Sequence, residues 1–516
     1  MNTLPFPWLI AIPLLAAPLV YLIGRLVRMV RFHSLRSLPA WLAFIALALT
    51  WIPFGFTARD FLNSGPLTLQ VESIALRFDG LSLLLTAIVL TLSTLVVLFS
   101  GPYLHGEDGE EKYHAMLLTM TGVMISLGCT GDLFNLWVWF EAMAVSSYLL
   151  VTFYRDQPAS LEAGVKYVVQ SATGSVFVLL GIGLVLMQTG TLDLVQIQQA
   201  AVNRPILLAA GGLMLVGFGV KTALVPLHTW LPDAHTQAPS GISAMLSGVV
   251  IEAGLIAMIR AVSPLTGVGS QAFPASIWGV VFLTAGALNM VVGNLMALRQ
   301  VQVKRLLAYS SLSHMGYIVF GIGIAIYSGQ AAGAQGGMFH LFNHGLMKGL
   351  AFLAVGTLLY AVEHAQKAPG SGAEPAHSSL TVGDLNGASQ RFPLMALALS
   401  LAVLALGGLP PLAGFMSKWQ IFVAGFGAQD IVISLLVIFM ALNSVLSLAY
   451  YAPLVNAVYR KQPSTAVINA GKVPLQMSLP LVALSLGVIV IGLWPSLLEW
   501  LTAPAGAALL AAFGLN

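Results

Sequence analysis

The chain has 516 residues, of which 58% are hydrophobic and only 8% are charged, whereas a soluble domain carries roughly a quarter charged residues. This composition excludes a water-soluble fold and predicts one integral membrane domain with no separate soluble domain. A formal net charge of +3 with scattered Lys and Arg gives no indication of a nucleic-acid partner, and the single cysteine, Cys129, excludes an internal disulfide and a cysteine-rich metal or iron–sulfur site.

Apolar runs recur along nearly the whole chain, each about 20 residues long, the length a helix needs to cross roughly 30 Å of hydrocarbon. The first run, residues 5–24, lacks a basic segment before it and a small-residue cleavage site, so it predicts a retained span rather than a cleaved signal. Together the runs predict an all-α, polytopic membrane protein with about fourteen transmembrane helices. Their predicted centres lie near residues 16, 48, 88, 120, 142, 176, 215, 250, 285, 314, 348, 405, 442 and 487.

Lys and Arg residues cluster after the first, fifth, ninth and thirteenth predicted spans, which all end on the same side of the membrane by this count. The positive-inside rule makes that side cytoplasmic and places both termini outside. Arg59, Arg204 and Arg260 fall singly on the other side, a weaker bias that the rule tolerates. The cytoplasmic clusters are Arg25, Arg28, Arg31 and Arg36; Arg155; Arg299, Lys304 and Arg305; and Arg460 and Lys461.

Two predicted spans are interrupted by proline. Pro226 follows Lys221 in the seventh span, and Pro410 and Pro411 precede Lys418 in the twelfth. Proline removes a helix hydrogen bond, and unwound backbone at membrane depth is tolerated only where it is buried in protein or lines a wet cavity. The breaks lie five spans apart, and an odd offset inverts the topology. The sequence therefore predicts an inverted five-helix repeat with broken helices 7 and 12, a layout that many ion carriers share.

This repeat divides the chain into four segments, all within the membrane. Residues 1–110 are predicted to form helices 1–3, and residues 111–265 the first five-helix repeat (helices 4–8). Residues 270–460 are predicted to form the second, inverted repeat (helices 9–13), and residues 461–516 the last transmembrane helix and a C-terminal tail. Residues 368–379, rich in Gly, Ala, Ser and Pro, predict a flexible cytoplasmic loop.

Ionisable residues inside the predicted spans carry the chemistry, because each costs a few kcal/mol or more in hydrocarbon. One such residue alone is as readily a structural ion pair or a lysine that snorkels to the interface. Ionisable groups in several spans, two of them at helix breaks, favour a polar axis instead. His340 lies four residues before His344 and shares its helical face. The candidate relay residues are Glu141, Lys221, Glu252, His314, His344, Lys348 and Lys418.

These residue types suit proton transfer. Burial disfavours the charged form of a carboxyl or an amine, so both exchange protons nearer neutral pH than in water. Glu141 and Lys221 are predicted to form a switching pair, in which a close carboxylate holds the lysine protonated and a distant one lets it discharge. Glu252 has no basic residue within one turn, so it is predicted to stay protonated or to pair with Lys221 or Lys348 from another helix.

Six ordered segments resemble the antiporter-like membrane subunits, namely chains L, M and N of respiratory complex I, their membrane-hydrogenase relatives, and the A-type and D-type subunits of multi-subunit Na⁺/H⁺ antiporters. The resemblance covers about residues 75–460. It implies fourteen core helices, an inverted repeat and a place as one module of a larger complex. The segments are TGDLFNLWVWFE (130–141), KTALVPLHTWLPDAH (221–235), APSGISAMLSG (238–248), KRLLAYSSLSHMG (304–316), HGLMK (344–348) and GLPPLAGFMSK (408–418).

The resemblance also implies residue roles. Glu141 looks like the family's fifth-helix glutamate, and Lys221 like its seventh-helix lysine. His344 and Lys348 look like the connecting groups of the eleventh helix, and Lys418 like the terminal residue of the twelfth. Chain M of complex I usually has glutamate at that last position, so the lysine here favours a D-type, N-type or L-type pattern.

Two positions depart from the family's pattern. Glu252 stands where most members place a lysine in the eighth span, and Gln302 stands near Lys304 where an acidic residue is usual. A carboxyl in place of an amine inverts the local charge. The proton route is therefore either rewired through Glu252 or interrupted between the two half-modules, that is, between the two predicted five-helix repeats.

The wording of residues 130–141 is closest to the D-type antiporter subunits. The resemblance therefore implies a proton-translocating, D-like subunit of a multi-subunit Na⁺/H⁺ antiporter, in the inner membrane of a prokaryotic cell. The alternative is a chain M-like or N-like proton-pumping subunit of an NADH-quinone oxidoreductase or a membrane-bound hydrogenase. In both cases the chain alone has no catalytic chemistry and no cofactor, and its partners are other membrane subunits, lipid, H⁺ and, for an antiporter, Na⁺.

Two other classes of function remain open from the residues alone. His340 and His344 are candidate ligands of a haem in a haem or quinone enzyme, although a spacing of four on one helix suits a proton chain better. A scaffold whose relay has decayed is the other interpretation, and Glu252 is its only indication.

Overall fold

The protein is described by a computed structural model, which covers residues 5–30, 37–72, 74–200, 204–266, 274–366 and 379–515. Helices fill almost all of these ranges, and helical structure lies at each of the predicted span centres. The predicted all-α, polytopic fold is therefore confirmed.

The first half of the described chain contains eleven α-helices and one β-hairpin. A π-helical turn, Leu246–Val250, joins the last two helices into one continuous span. The elements are α1 (Phe6–Met29), α2 (Leu38–Ser64), β1 (Leu67–Val71), β2 (Ile74–Phe78), α3 (Gly80–Tyr103), α4 (Glu110–Gly128), α5 (Leu133–Val151), α6 (Pro158–Thr189), α7 (Leu194–Gln199), α8 (Arg204–Lys221), α9 (Trp230–Gln237), α10 (Ser240–Met245) and α11 (Ile251–Val262).

The second half of the described chain contains nine α-helices. Among them only α18 is shorter than two turns, and α14 is the longest with 36 residues. The elements are α12 (Ala275–Ala297), α13 (Val303–Ser328), α14 (Ala331–Gln366), α15 (Pro393–Gly407), α16 (Ala413–Gly427), α17 (Ile431–Val458), α18 (Thr465–Asn469), α19 (Leu475–Leu493) and α20 (Glu499–Ala512).

Within the described residues, eleven helices are long and apolar enough to cross a membrane, or twelve if the bent pair Gly383–Gln390 and Pro393–Gly407 is one span. The predicted count of about fourteen is therefore not reached by this criterion. The remaining predicted centres fall in α4, whose first turn carries Glu110 and Glu111, in the shorter helix α8 and in the broken pair α15 and α16. Charge and chain breaks, rather than missing helices, account for the difference.

A β-hairpin between α2 and α3 is a feature that the sequence analysis does not predict. Strands β1 and β2 pair antiparallel, with Leu67 opposite Phe78 and Val71 opposite Ile74. Asp79, directly after the hairpin, caps α3 by accepting a hydrogen bond from the Ser82 backbone N–H at 3.1 Å. The hairpin thus fixes where the third span begins.

The first helix break lies at residues 222–229, between α8 and α9, and contains Pro226 as predicted. An asparagine of α12 satisfies the freed backbone: Asn289 Nδ2 donates to Ala223 O at 3.1 Å, and its Oδ1 accepts from the Val225 N–H at 2.8 Å. Unwound backbone inside the protein thereby keeps its hydrogen bonds.

The second break lies at residues 408–412, between α15 and α16, and contains Pro410 and Pro411 as predicted. Here an asparagine of α14 donates a hydrogen bond to the backbone next to the break: Asn343 Nδ2 donates to Ala413 O at 3.0 Å. Both breaks are therefore stabilised by a side-chain amide from a neighbouring helix.

The central helices form the core, and the outer helices shield them. The most apolar windows of Ser240–Thr266 and Val303–Ser328 are 100% buried and that of Ala331–Ala365 is 94% buried, against 28% for Phe6–Met29 and 33% for Ile431–Val458. Glu252, His314, His344 and Lys348, which lie on these three spans, are consequently buried inside the protein.

The four-segment division, with boundaries at 110, 265, 270 and 460, stays a prediction, although both breaks lie inside the proposed repeats. The predicted loop 368–379 lies outside the described residues except for Ser379. Arg31 and Arg36 also lie outside them, as does the Arg204 side chain.

We expect cysteines introduced by Arg155→Cys and Arg460→Cys in a Cys129→Ser background to react with a membrane-impermeant maleimide from the cytoplasmic side. Thr191→Cys should react from the opposite side, because one span separates it from position 155. Labelling is compared in right-side-out and inverted vesicles. Opposite sidedness of positions 155 and 460 would contradict the inverted repeat.

Candidate functional site

The predicted relay residues are almost all inside the protein. The exposed fraction is 0% for Lys221, Glu252, His344 and Lys348, 1% for His314 and 2% for Lys418. Only Glu141 on α5 is partly exposed. Such burial of lysines and carboxyls is expensive unless each polar atom has a partner, so the partners define what the site can do.

Lys221 is the last residue of α8 and lies at the first helix break. Its Nζ donates to Ser147 Oγ at 3.0 Å and to the Tyr167 hydroxyl, and lies 4.4 Å from the centre of the Tyr167 ring. Trp230 stacks on that ring with a centroid distance of 3.9 Å. The ammonium is therefore held by hydroxyls and an aromatic face.

Glu141 does not form an ion pair with Lys221, since no salt bridge within 4.0 Å joins them in the described structure. Glu141 and Ser147 are six residues apart on α5, roughly 9 Å along the helix axis. The Glu141 Oε1 atom is buried and has no hydrogen-bond partner. The structure therefore shows the two groups without a direct contact, although Glu141 still acts electrostatically on Lys221, and the switching pair stays a prediction.

Glu252 on α11 pairs with His344 on α14. His344 Nδ1 and Glu252 Oε1 are hydrogen-bonded at 2.8 Å, and both side chains are fully buried. The partner differs from the lysines that the sequence suggested. Glycines allow this contact, because a Cβ at Gly345 would lie 2.7 Å from Gly248 O, so only small residues let the two helices approach so closely.

Three histidines continue the polar chain from this pair. The His314 ring stacks on His344 at 5.5 Å between centroids and on His340 at 5.3 Å. His314 Nδ1 lies 3.2 Å from His340 Nε2, and His340 Nδ1 lies 2.8 Å from Ser417 Oγ. Ser417 directly precedes Lys418. A polar line therefore runs from Glu252 to Ser417, with a ring stack in place of a hydrogen bond between His344 and His314, where His344 Nε2 has no hydrogen-bond partner.

Lys418 and Lys348 are held in the same manner as Lys221. Lys418 Nζ donates to Leu406 O and to Ser444 Oγ, both at 2.8 Å. Lys348 Nζ donates to Leu307 O at 2.9 Å and to a serine hydroxyl of α13. Neither lysine makes a salt bridge in the described part of the chain.

Ion pairs surround this interior and fix its helices. Asp233 on α9 accepts from Lys166 at 2.9 Å and from Arg305 at 2.5 Å. Partial burial acts to raise the pKa of Asp233, but the hydrogen bonds from Lys166 and Arg305 outweigh it and lower the pKa. At the opposite end of the span that α10 and α11 form, Asp79 binds Arg260 at 2.8 Å.

Sequence reasoning placed the charged residues but not their neutral partners. Ser147, Tyr167 and Ser444 touch the lysines, yet hydroxyl residues are too common in membrane helices to stand out. His340 had a signal, its spacing of four from His344, but is not among the seven candidate relay residues. Its contacts with His314 and Ser417 place it within the line.

The arrangement can pass protons between neighbouring groups. A neutral imidazole has one donor and one acceptor nitrogen, so it takes up a proton at one and releases another at the other. Lysines bound to neutral oxygens keep a hydrogen bond in either charge state. The chemistry that these groups can support is therefore proton relay along the core.

Residues 130–447 of the chain match the family described as "NADH:quinone oxidoreductase/Mrp antiporter, TM". A second profile, "NADH-Ubiquinone oxidoreductase (complex I), chain 5 N-terminus", matches residues 63–114. Together they cover the third span, the breaks and every residue of the polar line.

Among similar proteins, F(420)H(2) dehydrogenase subunit N of Methanosarcina mazei is 31% identical over 82% of this chain and 83% of its own length. NADH-quinone oxidoreductase subunit N of Trichlorobacter lovleyi is 32% identical over 89% of this chain and 88% of its own length. A chain in the structure of the membrane-bound sulfane sulfur reductase, an archaeal respiratory membrane complex, superimposes with a TM-score of 0.84 and 27% identity over 98% of both chains.

These relatives correct one expectation. The sequence analysis favours a D-like antiporter subunit, but the relatives described here are N subunits of a dehydrogenase and an oxidoreductase. The N-like alternative therefore fits better than the D-like interpretation. The short segment 130–141 is too little sequence to separate subunits whose motifs are shared.

We expect His344→Leu to destabilise the protein by about 3 kcal/mol or more, because it leaves the buried Glu252 carboxyl without its partner. The double variant Glu252→Leu with His344→Leu should recover most of the loss, since it removes both polar groups at similar volume. Thermal unfolding in detergent measures both. Equal loss in the single and double variants would show that packing, not the pair, sets the stability.

Proposed function

Because this chain belongs to the NADH:quinone oxidoreductase/Mrp antiporter family of membrane subunits, we propose that it translocates protons as the N-type subunit of a complex driven by electron transfer. The proposal rests on one observation above the others, the buried polar line from Glu252 to Lys418. A single structural ion pair would explain one buried charge. It would not explain a series of contacts that runs from α11 through α13 and α14 to α16.

The first half-module supplies the switch. In the arrangement described here, Lys221 is bound to Ser147 and Tyr167, and Glu141 is apart from it. A carboxylate that approaches Lys221 stabilises its protonated form, and withdrawal of the carboxylate favours proton release. We propose that the lysine alternates between the hydroxyl cage and Glu141, and that this movement gates the transfer of its proton to the second half-module.

The second half-module supplies the path. A proton that reaches the Glu252 and His344 pair is shared across a 2.8 Å hydrogen bond. It moves by way of the stacked ring of His314 to His340, and then through Ser417 Oγ to the terminal lysine. Two of these steps, from His344 to His314 and from Ser417 Oγ to Lys418 Nζ, have no hydrogen bond in the described structure, so each requires a displacement of the side chains.

Glu252 is a working member of this path in our proposal. Its second oxygen, Oε2, is buried and has no partner in the described structure, so the carboxyl has one oxygen that is free to receive a proton. Two residues further along α11, Gly254 lets the end of α8 pack closely, because a Cβ at this residue would lie 3.2 Å from the Lys221 backbone. The carboxyl therefore occupies the junction between the half-modules.

Partners follow from the relatives. The similar chains are subunits of multi-subunit membrane complexes, and the N subunits named above belong to dehydrogenases or oxidoreductases. We propose that redox centres lie in partner chains, that this chain is a multi-pass subunit of a prokaryotic inner membrane, and that H⁺ is the ion it carries.

We expect purification of the tagged chain in mild detergent to bring down subunits with flavin or iron–sulfur absorbance, because an N-type subunit serves a redox complex. Absorbance spectra and mass spectrometry of the copurified proteins measure this. A complex made only of small membrane subunits without redox centres would overturn the N-type assignment and restore the antiporter interpretation.

Lys221→Arg and Glu252→Gln each preserve size and hydrogen bonding but fix the protonation state, since arginine stays charged and glutamine cannot titrate. We expect each to lower NADH-driven proton uptake into inverted vesicles by roughly tenfold or more. Acridine-dye quenching measures the uptake, and the amount of assembled complex on native gels should not change. Wild-type uptake by either variant across pH 6 to 9 would remove that residue from the relay.

A further inference from the structure

Two buried ionisable groups lie beside the polar line and have no part in the relay proposed above. His235, in α9, is fully buried, and neither Nδ1 nor Nε2 has a hydrogen-bond partner. Lys304, in the first turn of α13, is 4% exposed, and its Nζ donates to Ala238 O at 2.5 Å. Buried polar atoms are nearly always partnered, so an imidazole with two free nitrogens requires an explanation.

The position of His235 relative to Lys348 is fixed by a ring contact. The imidazole stacks on Phe352 with a centroid distance of 5.0 Å and an interplanar angle of 13°. Phe352 follows Lys348 by four residues on α14, so both project from the same face, about one turn or 5.4 Å apart along the helix. The His235 ring therefore lies next to the section of α14 that carries Lys348.

The position relative to Lys304 follows from α13 and from the chain after α9. Ala238, whose carbonyl binds Lys304, is three residues beyond His235. Lys348 Nζ binds Leu307 O, and Lys304 precedes Leu307 by three residues, about 4.5 Å along α13 on the same face. The two ammonium groups are thus anchored to adjacent turns of one helix face, and neither is hydrogen-bonded to the imidazole, so a transfer requires a displacement of the side chains.

Two contacts hold this geometry in place. Arg305, next to Lys304, binds Asp233 of α9 at 2.5 Å, and Ser243 Oγ donates to His235 O at 2.9 Å. The charged groups that act electrostatically on the His235 ring are Lys304 and Lys348. No carboxylate makes a salt bridge with the ring in the described part of the chain.

We infer that His235 carries protons between Lys304 and Lys348, and so gives the relay a branch toward the cytoplasmic end of α13. In one passage, Lys304 Nζ gives a proton to one imidazole nitrogen while the other nitrogen gives its proton to a neutral Lys348. The net charge of the three groups does not change, and the ring returns to its first tautomer before the next passage. The inference rests on the proposed function, because it assumes that this chain translocates protons, and it adds Lys348, which the path from Glu252 to Lys418 does not include.

The branch has an outer end. Lys304 lies beside Arg299 and Arg305, in the cluster that the positive-inside rule places in the cytoplasm. Glu363, partly exposed near the end of α14, acts electrostatically on Lys304. A proton taken from the cytoplasm at this end reaches Lys348 without crossing the junction at Glu252. Lys348 is then loaded independently of the first half-module.

The test uses inverted membrane vesicles that contain the assembled complex, with NADH as donor and acridine-dye quenching as the readout. His235→Phe preserves the ring stack on Phe352 but has no nitrogen, and His235→Gln preserves polarity but cannot titrate. We expect both to lower proton uptake roughly tenfold or more, with unchanged complex on native gels.

His114→Phe is the matched control. His114 in α4 is also fully buried with two unpartnered nitrogens and a ring contact, to Tyr113 at 5.3 Å, but no charged group among the described residues acts on it. This variant should pump within about twofold of wild type, because a carrier needs ionisable neighbours. A loss equal to that of His235→Phe would show that any buried histidine ring matters for structure alone, and would overturn the inference.

Lys348→Ala separates this inference from the proposed function. If Lys348→Ala abolishes pumping while both His235 variants pump normally, the branch is wrong and the main relay stands. Normal pumping by His235→Gln alone would make His235 a polar packing residue, and the branch would again be wrong. If Lys348→Ala pumps normally, the branch has no acceptor and is wrong, whereas the path from Glu252 to Lys418, which does not include Lys348, still stands.

Discussion

The ammonium groups inside this protein are held by neutral oxygens, and the rest of the site depends on that choice. Lys221, Lys348 and Lys418 each bind a serine hydroxyl, and the last two also bind a backbone carbonyl. A carboxylate in the same place would lock the positive charge by direct attraction. Hydroxyl and carbonyl oxygens accept from NH₃⁺ and from NH₂ alike, so the lysine can lose its proton and remain in position.

The helix breaks supply much of this neutral environment. Lys221 is the last residue of α8, Leu406 O lies in the last turn of α15, and Ala238 O follows the end of α9. The last carbonyls of a helix have no intrahelical partner, and the C-terminal end of the helix dipole favours a cation. The second break therefore does two things at once, since it frees the Leu406 carbonyl and places it where Lys418 arrives from α16, whereas the first break places Lys221 itself at the end of a helix.

Much of the fold and of the site could be predicted because burial of charge is rare in membrane spans. Apolar length located the spans, and Pro226 and Pro410 located the breaks. The partner of Glu252 could not be predicted in the same way. It depends on Gly248 and Gly345 letting α11 and α14 approach, a tertiary fact that neither helix shows alone. The hairpin of β1 and β2 could not be predicted for the opposite reason, since five-residue apolar strands are indistinguishable from the ends of adjacent apolar helices.

The Glu252 and His344 pair also explains how a carboxyl can stand where the family resemblance places a lysine. A lysine beside a neutral imidazole has two accessible states, net charge 0 when the amine is neutral and +1 when it is protonated. The carboxyl and imidazole carry net charge 0 when they hold one titrating proton between them, on either group, and +1 when they hold two. The two arrangements therefore offer the relay the same pair of charge states.

The inversion of charge expected from the sequence applies to the residue alone and is cancelled by its hydrogen-bonded partner, which lies 2.8 Å away in a fully buried position. What changes is the geometry of transfer: the proton is delivered along a short hydrogen bond directly into the histidine stack, whereas a flexible lysine side chain must swing to reach it.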